Sequence, residues 1–305
     1  MVNTLYVGGY GRSGSTVLDS MLGSHPKLFG GGELSHIFTE VSEGRCSCGR
    51  EYTECLFWKE VLGVLRKRLP DLNLMAMRSA TRRMESFGVL PPGNGRKTQI
   101  LYAKVWTAML DALRAVSGKD VIVDSSKTAR MCSHRISSLV KLCGAELNVI
   151  HLVRDPRAVT WSLLKGSNRK LEDGKKGRVF GGVYRAIFGW TLANLSVHRV
   201  KSEIPVLKVR RVRYEDLVRD PLEELKMLEA WSEVDMSPIR DIAKGSWSVE
   251  PGHGVGGNRL RRKGPFLIRE DVEWKRALPA KARIIASIYS WPLARIYGYD
   301  VFKKP

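Results

Sequence analysis

Apolar positions recur along this chain in two registers. Leu5, Tyr6 and Val7 form a short continuous run that gives way to Gly8-Gly9-Tyr10-Gly11-Arg12-Ser13-Gly14-Ser15-Thr16, after which Val17, Leu18, Met21 and Leu22 return at helical spacing. The order is strand, glycine loop, helix. Two further unbroken runs, Val121-Ile122-Val123 and Leu147 to Val153, read as buried strands, each followed by polar residues and then a helix. A fourth strand is expected at Val206 to Val212, with a helix after Pro221. This succession predicts an α/β fold with a parallel sheet flanked by helices.

Residues 57 to 117 read as a helical insertion interrupted by Pro91-Pro92-Gly93-Asn94-Gly95, with Leu101, Val105, Trp106, Met109, Leu110 and Leu113 on one face. Residues 27 to 56 look irregular. Residues 166 to 182 have no clear periodicity and read as a mobile surface loop. The whole, 1 to 305, is expected to be one domain, since 43% apolar composition suffices for one large core. Ile284 to Tyr299 contains Pro292 and Arg295 and is too short for a membrane span. The N-terminus has neither a basic n-region nor an apolar h-region, so a cytoplasmic protein is expected.

Lys and Arg number 51 against 31 Asp and Glu, a net charge of +20 that is spread along the chain. Such a field suits anionic ligands and admits peripheral contact with an anionic membrane surface. Nucleic acid is not an expected partner, for the sequence carries no zinc-finger or RNP1-type motif. Cys46, Cys48 and Cys55 cluster in a chain with five cysteines, an odd number. They offer three ligands to a zinc ion with no evident fourth, and a local disulfide or buried thiols are the alternatives.

The chemistry gathers where the strands end, as ligands of open parallel sheets do. Read from Gly9, the first loop has the spacing G-x-x-x-x-G-K-[ST], with Ser15 in place of the lysine and Arg12 as the nearest cation. Backbone amides and the helix N-terminus can hold an anion there, but not in the manner of an ordinary Mg-nucleoside triphosphate site. A second anion site is Arg154, which leaves a strand end just before Pro156 starts a helix carrying Ser162; arginine offers a planar fork to phosphate.

These two sites together resemble the sulfotransferases that use 3′-phosphoadenosine 5′-phosphosulfate (PAPS), in their bacterial form. The resemblance implies a P-loop-like parallel sheet and transfer of a sulfuryl group to an acceptor hydroxyl, less readily an amine, leaving adenosine 3′,5′-bisphosphate. Arg12, Ser13, Gly14, Ser15 and Thr16 would hold the 5′ end, and Arg154 and Ser162 the 3′-phosphate. Tyr214, within Arg213-Tyr214-Glu215-Asp216-Leu217, would lie near the adenine. Gly257, Asn258 and Arg261 match the last cofactor loop, with Arg259 where the bacterial form has proline. No metal is expected in the transfer, because a sulfuryl group carries less negative charge than a phosphoryl group and positioned donors suffice.

The passage from the loop to Gly32-Glu33 is similar to tyrosylprotein and glycolipid sulfotransferases, in which a glutamate in this position is the base. Glu33 is therefore the expected general base, with His25, His36 and His134 as alternatives. Lys127 would neutralise the bridging oxygen of the leaving nucleotide, helped by Ser125 or Ser126, or would pair with Asp124 as a structural contact. Arg12 is the remaining catalytic candidate. Two other readings are a small-molecule kinase using ATP and Mg²⁺, and a basic module that binds acidic glycans or membranes without turnover. The sequence leaves the acceptor, whether small molecule, glycan or lipid, and the oligomeric state open.

Overall fold

The computed structural model describes residues 3–71, 73–86, 95–166, 179–243, 248–249, 252–257 and 266–303. Five parallel strands form the main sheet: β1 Thr4–Gly8, β2 Leu28–Gly30, β3 Val121–Asp124, β4 Leu147–Val153 and β5 Val209–Arg213, in the order β2-β3-β1-β4-β5. β1 is central and in register with both neighbours, Thr4 opposite Ile122 and Gly8 opposite His151.

Side-chain alternation sorts the sheet between two cores. Leu5, Val7, Val121, Val123, Ile150 and Leu152 face the helices Ser15–Gly23, Pro221–Ser232 and Ser237–Ala243. Tyr6, Ile122, Leu147 and Val149 face the other way, onto a larger core from Leu56–Arg68, Leu74–Glu85, Arg96–Ser117 and Arg135–Cys143. The three central strands are covered on both faces, which is why their sequences read as unbroken apolar runs. Val105, Trp106, Met109, Leu110 and Leu113 are buried as the helical periodicity requires.

Three expectations need correction. Residues 27 to 56 are not wholly irregular: they hold β2, the 3₁₀ turn Leu34–His36 and the helix Ile37–Glu43. Only Leu28 and Phe29 mark β2 in sequence, too short a run to register between Pro26 and three glycines. The fourth expected strand begins later, at Val209; Val206 is 89% exposed in the preceding turn. It is an edge strand, and Arg210 and Arg211 on it discourage further pairing. The loop expected to run to residue 182 ends earlier, for the helix Val179–Glu203 has already begun; 167–178 lie outside the described residues. Among the described residues, no helix is long and apolar enough to cross a membrane.

Candidate active site

Because all five strands are parallel, their carboxyl ends open on one edge of the sheet. β1 delivers Gly9 to Gly14, β2 delivers Gly31 to Glu33, β3 delivers Ser125 to Lys127, β4 delivers Arg154 and β5 delivers Tyr214. The strand missing from the sequence reading is the one that brings Glu33 to this edge.

The first loop is held open by backbone conformations that side chains seldom adopt. Gly9 has φ +117°, and a Cβ there would stand 2.2 Å from the Leu152 carbonyl oxygen. Gly14 has φ +94° and caps the helix Ser15–Gly23 without a side-chain bond, its carbonyl accepting from the Val17 and Leu18 amides at 2.9 and 3.1 Å. Arg12 also has positive φ, +71°, and its Nη2 donates to the Gly166 carbonyl at 3.1 Å. Ser15 is buried and Thr16 half-buried in the first turn of that helix. Ser13 is buried, and its Oγ has no hydrogen-bond partner among the described residues.

The lysine absent from the loop is supplied in space by Lys127. Its Cδ lies 4.0 Å from where a Cβ on Gly11 would be, so the side chain runs along the loop, and its Nζ donates to Glu33 Oε1. Lys127 itself has φ +70°. Its carbonyl accepts from the Tyr6 hydroxyl, and its amide donates to Val7 O at 3.2 Å. Asp124 is not its partner. That carboxylate accepts from Arg135 Nε at 2.8 Å and from the Ser126 amide and hydroxyl. Arg135 also reaches Glu85, whose other contact is the Tyr102 hydroxyl at 2.9 Å. The triad is fully buried. With its oxygens so engaged, Asp124 does not stand as a Mg²⁺ ligand for the loop.

Glu33 sits between two cationic partners: Lys127 on one oxygen, His36 Nδ1 3.4 Å from the other. Burial alone would raise its pKa, but Lys127 and His36 outweigh burial and hold it well below the usual carboxylate range. Hydrogen bonds to Cys132 and to Glu33 push His36 up to about 10. Glu33 is therefore ionised and His36 protonated at neutral pH. The other two histidines stand elsewhere. His25 builds a turn, accepting from the Lys27 amide at 3.0 Å and facing Asp235 O at 2.7 Å, and His134 lies 2.9 Å from Arg199 Nη2.

Arg154, only 5% exposed, joins the second site to the first. Its Nη1 donates to the Arg12 carbonyl at 3.0 Å and its Nη2 to Asp271 Oδ2 at 3.1 Å, while Nε is buried without a partner among the described residues. It does not pair with Asp155, which caps the helix Pro156–Leu164 and binds Arg157. Ser162 lies half-buried on that helix. Tyr214 fills the space between the sites: the Arg154 guanidinium sits 4.3 Å from its ring centre, and a Cβ on Gly14 would meet the ring at 2.3 Å. Asp271 as a partner of Arg154 had no sequence signal, since it comes from a segment 117 residues away; His36 is local, three residues after Glu33. Gly256, with φ +58°, packs beside the Glu33 side chain, and Gly257 follows it; Asn258 and Arg261 lie outside the described residues.

Next to His36 a cavity of about 230 Å³ is lined by Ser35, Thr39, Arg78, Arg82 and Cys132, among others. Arg78 and Arg82 come from the helix Leu74–Glu85, within the insertion.

The geometry agrees with relationships to known proteins. The model of the sulfotransferase family matches residues 5–238. Human carbohydrate sulfotransferase 6 is 25% identical over 327 residues, covering 94% of this chain and 78% of the relative. Among solved structures, the sulfotransferase domain from the curacin biosynthetic pathway superposes with TM-score 0.56 at 19% identity, covering 96% of this chain and 98% of that one. The sulfotransferase domain of the Synechococcus PCC 7002 olefin synthase gives 0.55 at 21%, covering 98% and 96%.

Proposed function

Because the chain belongs to the sulfotransferase family, we propose that its donor is PAPS and that Glu33 is the general base for an acceptor hydroxyl. The observation that carries this reading is the convergence of three groups on one loop: Lys127 along Gly11, Glu33 on Lys127, and Arg154 on the Arg12 carbonyl. Two buried polar atoms there, Ser13 Oγ and Arg154 Nε, lack partners among the described residues, as expected of groups meant for a ligand.

In this reading Ser13, Ser15, Thr16 and the helix amides hold the 5′-phosphosulfate, and Arg12 steadies the same end. Gly14 lets the Tyr214 ring pack directly against the loop. Arg154 and Ser162 hold the 3′-phosphate, which takes over the guanidinium arm now shared with Asp271. Tyr214 lies at the adenine end, and Gly257 is a further donor contact, as the resemblance also implies for Asn258 and Arg261, which lie outside the described residues.

The transfer is an in-line displacement at sulfur: the acceptor oxygen bonds to sulfur, the bond to the bridging oxygen breaks, and adenosine 3′,5′-bisphosphate leaves. Glu33 takes the acceptor proton, for which it must be ionised; Lys127 and His36 hold it so, and departure of the Lys127 hydrogen bond restores its basicity. Lys127 moves its hydrogen bond from Glu33 to the bridging oxygen as charge develops there. The kinase reading loses support, because Asp124 is committed to Arg135 and Ser126.

For the acceptor we propose a polar, hydroxyl-rich molecule such as a carbohydrate, entering beside His36. Arg78 and Arg82 favour one that already carries negative charge, and the likeness to a carbohydrate sulfotransferase supports the class. A panel of neutral and anionic glycans, lipids and phenols with labelled PAPS tests it. Label should pass to glycans, and to anionic ones first; transfer to phenols alone would refute the acceptor class.

A further inference from the structure

The three clustered cysteines acquire a fourth companion from the far end of the chain. His253 Nδ1 lies 3.4 Å from Cys55 Sγ and 3.7 Å from Cys46 Sγ, while Cys48 and Cys55 Sγ are 3.8 Å apart. All four ligand atoms fall within 4.8 Å of one another. We propose that Cys46, Cys48, Cys55 and His253 bind a structural zinc ion.

The three separations of 3.4, 3.7 and 3.8 Å are close to the edges of a tetrahedron around zinc. With Zn–S of about 2.3 Å and Zn–N of about 2.0–2.1 Å, its edges are roughly 3.8 Å between sulfurs and about 3.6 Å between sulfur and nitrogen. Sulfurs 3.8 Å apart are not bonded, and all five cysteines are free thiols. Three thiolates and one imidazole select zinc over the oxygen-seeking cations. Four protein ligands leave no open position, so the ion is structural and takes no part in sulfuryl transfer.

The surroundings are built to hold the ligands still. Arg45 and Glu51 form an antiparallel bridge, and the turn between them closes with Cys46 N–H donating to Arg50 O and Gly49 N–H to Cys46 O, both at 2.9 Å. Gly49 has φ +87°, the conformation that turn requires. The His253 ring stacks on Phe57 at 5.0 Å with an interplanar angle of 9°, and its carbonyl accepts from Trp58 Nε1 at 2.8 Å. Ser47 fixes the next residue through its amide and hydroxyl, both donating to Gly254 O.

The ion thus straps 252–257 to the cysteine turn. Two residues beyond His253, Val255 pairs with the Glu33 segment: Glu33 N–H donates to Val255 O at 2.7 Å, and Val255 N–H to Gly31 O at 2.8 Å. Through this strap the zinc positions the backbone on both sides of Gly32, up to the Glu33 amide. The sequence showed only three ligands because the fourth lies 198 residues after Cys55.

The test is metal analysis of the full chain purified under reducing conditions, followed by cobalt exchange. We expect one zinc per chain, a tetrahedral cobalt spectrum with thiolate charge-transfer absorption, and loss of that spectrum in Cys48→Ser and His253→Asn. Each substitution should cost at least the ~10–100-fold in zinc affinity that loss of an outer-shell partner costs. Removing the zinc should raise hydrogen exchange in 46–55 and 252–257 together. Should a variant fail to fold, the wild-type cobalt spectrum decides alone. Wild-type protein that binds neither metal, an octahedral spectrum, a spectrum unchanged in His253→Asn, or a disulfide among the three cysteines would overturn the site.

Discussion

Lys127 Nζ donates to Glu33 Oε1 across 94 residues of sequence, and the lysine reaches that position from a left-handed backbone at φ +70°. The pair joins the ends of two adjacent strands, β2 and β3, beside the glycine loop. Glu33→Gln removes the base while keeping shape and a hydrogen-bond acceptor. Turnover should fall roughly 10²–10⁴-fold, the usual contribution of a general base, with binding of adenosine 3′,5′-bisphosphate changed less than about twofold. Steady-state kinetics and calorimetry on the same variant check both halves, and undiminished turnover would remove Glu33 from the base role.

The His36 contact gives a pH dependence with a definite sign. Its pKa is raised to about 10 from the ordinary value of 6.5, so folding gains from the proton wherever the unfolded chain would already hold it. That stabilisation is complete below pH ~6.5, declines above it and is lost as pH rises through about 10. The side chain is 42% exposed, so screening keeps the effect small. Thermal melts of His36→Gln should sit below wild type at pH 6 and converge with it above pH 10; a gap constant with pH would contradict the assignment.

Gly14→Ala should disable the loop. The added methyl would meet the Tyr214 ring at 2.3 Å on a backbone at φ +94°, a strain on the order of 1–3 kcal/mol. Tyr214→Ala in the same chain should recover part of the stability by removing the contact, but not the part due to φ. Urea unfolding of the single and double variants separates the two, and a Gly14→Ala protein as stable as wild type would show that the loop is not held as described.

Arg135 neutralises two buried carboxylates, Asp124 and Glu85, and burial pushes Glu85 up despite it. Arg135→Met should destabilise by about 3–5 kcal/mol, because both acids are then buried without their partner. Denaturant unfolding measures this directly. A loss under ~1 kcal/mol would mean that the triad is not closed.

Much of this arrangement was legible in the sequence because it depends on local pattern. The runs at Leu5–Val7, Val121–Val123 and Leu147–Val153 announced buried parallel strands, and the spacing of Gly9 and Gly14 announced a loop between strand and helix, though not its left-handed conformations. Glu33 and Lys127 could each be proposed from position after a strand or glycine run. Their pairing could not, since it depends on β2 lying beside β3, and β2 has only Leu28 and Phe29 to mark it. Asp124 illustrates the same limit: Lys127 was the nearest cation in sequence, yet Arg135, one helix entry later, took the carboxylate. His253 and Asp271 reach the site area from the C-terminal third, and no spacing rule links them to their partners.

The most direct test of the donor assignment is calorimetric titration of the protein, without added divalent cation, with adenosine 3′,5′-bisphosphate and adenosine 5′-monophosphate, for wild type and Arg154→Ala. The account predicts single-site binding that favours the bisphosphate, with that preference lost in the variant, because a charge-assisted bond of ~1.5–3 kcal/mol corresponds to roughly 10- to 150-fold in affinity. Equal affinity of wild type for the two nucleotides, or tight binding of ATP that requires Mg²⁺, would contradict it.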